Sequence, residues 1–96
     1  MIDDYNPKPK GKFHYTMQTT GVMEHSRGIA WTANLMWGSE VIGTVEQAGD
    51  GGADRVYIDN LAYRTHWNLS VQNAFDGNEQ DATYFLLVQE EDSVNG

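Results

Sequence analysis

The chain has no cysteine. That excludes disulfide frameworks, thiolate nucleophiles and cysteine-held zinc together, and it agrees with a reducing compartment. Long apolar runs are also missing: no stretch approaches the ~18–20 residues of a membrane-spanning helix. Cations are scarce, with six Lys and Arg against 14 Asp and Glu and a formal net charge of −8. Direct nucleic-acid binding needs clustered cations that this chain lacks. Proline occurs twice, at Pro7 and Pro9. The opening Met1-Ile2-Asp3-Asp4 is acidic and carries no apolar stretch, so no signal peptide is expected and the expected setting is cytoplasmic.

What is present is a short, well-patterned chain. Its 96 residues suffice for one small domain with a thin core. They are too few for an eight-fold βα barrel or a doubly wound dinucleotide fold. At 40% hydrophobic and 11% aromatic residues, the chain is too apolar for a disordered acidic tail.

Residues 1–12 read as a flexible arm, with Lys8, Lys10 and Lys12 between the prolines and beyond them. Residues 13–90 read as one α+β domain, and residues 91–96 as a polar tail. Phe13, Tyr15 and Met17 alternate with His14, Thr16 and Gln18, the period of a half-buried strand. The stretch around Val22 reads as a short extra strand or a loop. Ile29–Trp37 and Glu40–Glu46 are strand formers on either side of a Gly38-containing turn, which predicts a hairpin. A regular alternation puts Trp31, Ala33 and Leu35 on one face with Ile42 and Thr44, and Met36, Val41 and Val45 on the other. With apolar residues on both faces, the hairpin is expected to be central and partly covered on each side. Gly43 inside the return strand points to a bulge or a close contact.

Asp59–Phe75 reads as a helix with Asp59 as N-cap and Gly77 just past its end. Tyr63, Trp67, Val71, Ala74 and Phe75 share its apolar face. Ala82–Gln89 has a continuous apolar centre and reads as a last, two-sided strand. The expected fold is therefore an antiparallel sheet of four to five strands with one helix packed on a face, in the order β-β-β-α-β.

No constellation demands catalysis. His14, His25 and His66 show no ligand spacing such as HxxxH. Glu24-His25-Ser26 is adjacent in sequence, but triads are assembled in space, and neighbouring strand residues face opposite ways. No catalytic residue, metal or cofactor is expected. The loop Gly49–Asp54 offers Asp50 and Asp54 as oxygen ligands without the spacing of a calcium loop.

Acids are concentrated at turns and strand ends. Residues 40–59 hold five acids against Arg55, and residues 76–92 hold six with no base. Carboxylates so exposed can compete with phosphates for a basic groove and steer fast association. Trp37 at the hairpin tip is the expected aromatic anchor. The candidate partner-binding set is Trp37, Glu40, Asp50, Asp54, Asp76, Glu79 and Asp81.

The segment Trp31–Val45, followed by Gly49-Asp50-Gly51-Gly52, resembles a strand–glycine turn–strand–GxGG pattern in small phage and prophage proteins. In size and acidity the chain also resembles anti-CRISPR-type inhibitors. Those resemblances imply an α+β fold and a phage-encoded protein acting in the cytoplasm of a bacterial host. On this reading it is a non-enzymatic inhibitor of a larger, basic, nucleic-acid-binding defence complex, acting by mimicry of nucleic acid. The alternatives are a virion, assembly or oligomerisation module, such as a homodimer paired through a sheet edge, and a small-molecule or cation-binding module using the Gly49–Asp54 loop. No contact with a membrane is expected.

Overall fold

The computed structural model describes residues 7–26, 28–49 and 52–95; for residues 25 and 92–95 it describes the backbone only. The elements run β1 (Tyr15–His25), β2 (Gly28–Trp37), β3 (Glu40–Gln47), β4 (Arg55–Tyr57), α1 (Leu61–Phe75) and α2 (Glu79–Asn95). The four strands form one antiparallel sheet in the order β1-β2-β3-β4. Both helices contribute to the same core as one face of the sheet. The class is α+β, as expected, but the element order is not β-β-β-α-β.

Three differences separate the two orders, the first being the short strand β4 (Arg55–Tyr57), which pairs with β3 before α1 begins. The segment around Val22 is not a fifth strand; it continues β1 beyond an irregularity between Thr19 and Gly21. Ala82–Gln89 is not a strand but the middle of α2. Asn78 begins that helix, its side chain accepting from the Asp81 N–H at 3.1 Å and its carbonyl from the Ala82 N–H at 3.2 Å. Glu79 and Asp81 then place negative charge on the first turn, where the helix dipole favours it. A short apolar run has no periodicity that separates strand from buried helix. Here Ala82, Thr83 and Leu86 are buried, the three-to-four spacing of one helical stripe. The 91–95 segment continues α2.

The β2–β3 hairpin forms where expected. Trp37 pairs with Glu40, and Gly38 takes φ 63°, the positive first position that a two-residue Gly-Ser turn of type II′ requires. The strand faces differ from the regular alternation. A bulge leaves Ile42 unpaired between Gly43, opposite Leu35, and Val41, opposite Met36. Beyond it Val45 pairs with Ala33 and is buried, while Thr44 is exposed. The helix-free face carries the exposed Thr16, Gln18, Thr32 and Thr44, so the hairpin is covered on one side.

Gly43 sits beside that bulge and at a close approach. A Cβ there would collide with the Tyr57 carbonyl oxygen and with Ile58 Cγ1. Gly43→Ala is therefore expected to push β4 away from β3 and cost about 1–3 kcal/mol, the usual range for overpacking. The urea midpoint should fall with an unchanged m value.

Helix α1 starts one residue later than the sequence suggests. Asn60, not Asp59, accepts the Tyr63 N–H, at 3.1 Å. It ends through Asp76 and Gly77, both at positive φ, with the Gly77 N–H bonded to the Val71 carbonyl at 3.1 Å. Trp67, Val71, Ala74 and Phe75 are buried as anticipated, and Tyr63 is half-buried. Residues 7–12, read as an arm, are tied to this end of α1. The Lys10 N–H bonds the Ala74 carbonyl at 2.9 Å, and its ammonium meets Asp76 at 2.8 Å.

Candidate interaction surface

Three regions gather the chemistry. The first lies at the tip of the β2–β3 hairpin against the start of α1. Trp37 is half-buried there and lines a surface pocket with Ala62, Tyr63 and His66; its ring meets Tyr15 at 5.0 Å, His66 at 4.8 Å and His14 at 6.2 Å. The Tyr15 hydroxyl shares a hydrogen bond with His66 Nδ1. Glu40 is exposed and accepts from the Tyr63 hydroxyl at 2.8 Å.

Both phenols are affected. Burial pushes the Tyr15 hydroxyl above its ordinary value, partly offset by a hydrogen bond with Ser70. The bond to the Glu40 carboxylate is the main cause that raises Tyr63. A raised phenol pKa means that the folded chain keeps its proton longer than the unfolded one. The associated stability is complete below about pH 10 and is lost as pH rises through the folded values. In an ultraviolet titration Tyr15 and Tyr63 should ionise late, and the urea midpoint should fall over the same alkaline range. Tyr15→Phe should remove one late phenol; an unchanged titration curve would contradict the assignment.

The second region is the turn between the helices, with the loop before β4. Asp54, Asp76, Glu79 and Asp81 converge there, and they are not equivalent. Asp54 is half-buried and holds the loop to α2. Its carboxylate accepts from Gln47 Nε2 at 2.6 Å and Thr83 Oγ1 at 2.7 Å, and its backbone exchanges two bonds with the Gln80 side chain, at 2.8 and 3.0 Å. Glu79 accepts from Trp67 Nε1 at 2.7 Å and lies 3.8 Å from Arg64. Asp76 is exposed beside Lys10. Asp81 is half-buried on the first turn of α2. Asp50 lies outside the described residues. Among those described, no group of three His, Asp or Glu is placed to hold a metal, and no helix is long and apolar enough to cross a membrane.

The third region was not singled out from sequence. The far ends of β1 and β2 extend past α2 and leave an open groove of about 470 Å³. Val22, Ile29 and Trp31 form its sheet side, and Leu87, Glu90 and Glu91 its helix side. Trp31 is half-buried, whereas Val22 is 67% and Ile29 54% exposed. The irregularity in β1 creates this surface. Tyr15, Met17 and Thr19 face the helices, and an unbroken alternation would turn Val22 away. The extra residue instead brings Val22 opposite Trp31, and Glu24 opposite Ile29. A bulge leaves no mark in the residue alternation, so the only signal in the sequence is Gly21 within a strand-like run.

The carboxylates share one feature across these regions. Glu40, Asp54 and Glu90 are all held by neutral donors; Glu90 accepts from the Thr19 N–H at 2.7 Å and the Thr19 hydroxyl at 2.6 Å. Asp76 and Glu79 instead have a cation within 4.0 Å, Lys10 and Arg64 respectively. Comparison with known proteins finds no matching family model, no similar curated protein and no similar solved structure.

Proposed function

We propose that this chain is a small acidic binding protein, without catalytic activity, that occupies the basic surface with which a larger protein holds nucleic acid. The observation that carries the reading is the way Glu40, Asp54 and Glu90 are held, by neutral donors alone among the described residues. A carboxylate fixed by neutral donors keeps its full charge while losing rotamer freedom, so less ordering is left to be done on binding. Glu40 lies near the start of α1; beyond its end lie Asp54, bound to Gln80 and Thr83, and Asp76, Glu79 and Asp81, of which Asp76 and Glu79 share their charge with Lys10 and Arg64. At 1.5 Å per residue these anionic points are about 20 Å apart, a separation suited to an extended basic groove. The net charge of −8 adds long-range attraction to such a groove. Size, acidity and the strand–glycine turn–strand segment support a finer version, a phage-encoded inhibitor of a bacterial nucleic-acid-binding defence complex. In it the chain acts as a mimic of nucleic acid in the host cytoplasm.

The test is capture from a bacterial lysate by the tagged full chain, with low- and high-salt washes and with duplex DNA as competitor. A nucleic-acid-handling complex held at low salt, released by high salt or DNA, and held less well by Glu40→Gln with Asp76→Asn is the expected result. Capture indifferent to salt, to DNA and to those substitutions would overturn the proposal.

A second reading, self-assembly, draws on the eleven-residue β1 at one edge of the sheet. Glu90 covers that strand's N–H at Thr19, which interrupts the run available to another strand. A molecular mass that rises with concentration and ignores salt would favour this reading instead.

A further inference from the structure

We infer that the groove between the far end of the β1–β2 hairpin and the last turns of α2 is a docking site for a cationic, apolar segment of a partner protein: a stretch carrying Lys or Arg beside aliphatic residues. The inference rests on the reading that the chain binds a larger basic protein, and it adds a second point of contact away from Glu40 and Asp76. Three observations carry it.

Val22 and Ile29 sit side by side with Trp31 on the face of the sheet that elsewhere is covered by helices. A contiguous apolar surface left open in this way marks an interaction site. The groove is also anionic. Glu90 is half-buried on its wall, oriented by two hydrogen bonds from Thr19, with no cation within ion-pair distance among the described residues. Glu91 follows it, exposed, and Glu24 stands opposite Ile29 in register. Finally, Trp31 supplies an aromatic surface within the same groove.

Charge complementarity selects the occupant. A wholly apolar segment would strip water from Glu90 and return no partner for its charge. A second copy of this chain, itself at −8, would bring carboxylates against carboxylates. A Lys or Arg side chain satisfies each part of the site. Its aliphatic stem lies along Val22 and Ile29, its charge meets Glu90, and Trp31 offers a cation–π contact. The half-buried position strengthens that charge pair over one in open water.

The experiment titrates the isotope-labelled full chain with three peptide probes of equal length: Lys/Leu, Glu/Leu and Lys/Ser. The Lys/Leu peptide is expected to bind saturably, with amide and indole shifts concentrated at Val22, Ile29, Trp31 and Leu87. The other two should bind at least about tenfold more weakly, a difference of about 1.4 kcal/mol. Glu90→Gln and Val22→Ser should each weaken the Lys/Leu peptide several-fold. Val22 is exposed, so its substitution tests contact without emptying the core. Absence of Lys/Leu binding, equal binding of the Glu/Leu peptide, shifts centred elsewhere, or self-association that covers the groove would each overturn the inference. The salt-sensitive capture by the Glu40 and Asp76 region is read separately, so failure of that reading and failure of this groove are told apart.

Discussion

Replacing Trp67 by Ala is expected to remove about 3–5 kcal/mol of stability, a large share of the ~5–15 kcal/mol that holds a domain of this size together. The ring is fully buried and joins both helices to the sheet. Tyr15 meets it edge-on at 5.0 Å from β1, and Phe13 at 5.6 Å from the segment before β1. Phe13 in turn packs on Phe75 at 5.1 Å, so removing the indole withdraws a wall from a chain of aromatic contacts. Neither strand nor helix can move in to fill the space without giving up its own pairing. The indole N–H also leaves Glu79 without its 2.7 Å donor. Trp67→Phe retains most of the ring and should lose much less. Urea unfolding followed by far-ultraviolet circular dichroism measures both variants without depending on tryptophan emission. A loss below about 1 kcal/mol for Trp67→Ala, no more than an average substitution costs, would show that this ring does not tie the layers together.

Asp54→Ala is the second large effect, and it separates a structural acid from a binding one. The substitution removes the acceptor for Thr83, which is fully buried, and for Gln47. Thr83 retains the Gln80 carbonyl at 3.1 Å, and Gln47 retains the Gly52 carbonyl at 3.0 Å, so neither donor is wholly orphaned. Hydrogen bonds to a charged group contribute about 1.5–3 kcal/mol, and a loss of about 2–3 kcal/mol is expected. Asp54→Asn keeps one acceptor and should lose less. Glu40→Gln, on an exposed side chain, should leave the unfolding midpoint nearly unchanged while weakening partner capture. The reverse pattern, with Asp54→Ala stable and Glu40→Gln unfolded, would show that the roles of the two acids are exchanged.

Part of this was legible in the residues. The β2–β3 hairpin follows from strand formers around Gly38-Ser39, and the α1 stripe from the spacing of Trp67, Val71, Ala74 and Phe75. Gly43 announced its bulge and its close neighbour because only a missing Cβ lets Tyr57 come so near. These are local signals, confined to a turn or one helical face. The candidate site was less legible. Acids collect at turns, and that much is compositional. Whether a carboxylate is free for a partner depends on what lies across the fold from it. Asp54 meets Thr83, 29 positions later, and Glu90 meets Thr19, 71 positions earlier. Trp37 drew attention as a hairpin-tip aromatic and does line a surface pocket with Ala62, Tyr63 and His66, whereas Trp31, which also lines a groove, was not singled out.

By itself the sequence determined the α+β class, the central hairpin, the first helix and the acidic surface, because turn chemistry, side-chain period and charge act over a few residues. Tertiary structure decided the rest. Ala82–Gln89 carries an apolar run that either a strand or a helix could bury; the cap at Asn78 and the open position against β1 made it α2. Bulges at Thr20 and Ile42 exchanged the faces of the residues beyond them. That placed Val45 in the core and Val22 in the groove, since one inserted residue reverses every side chain that follows it in a strand.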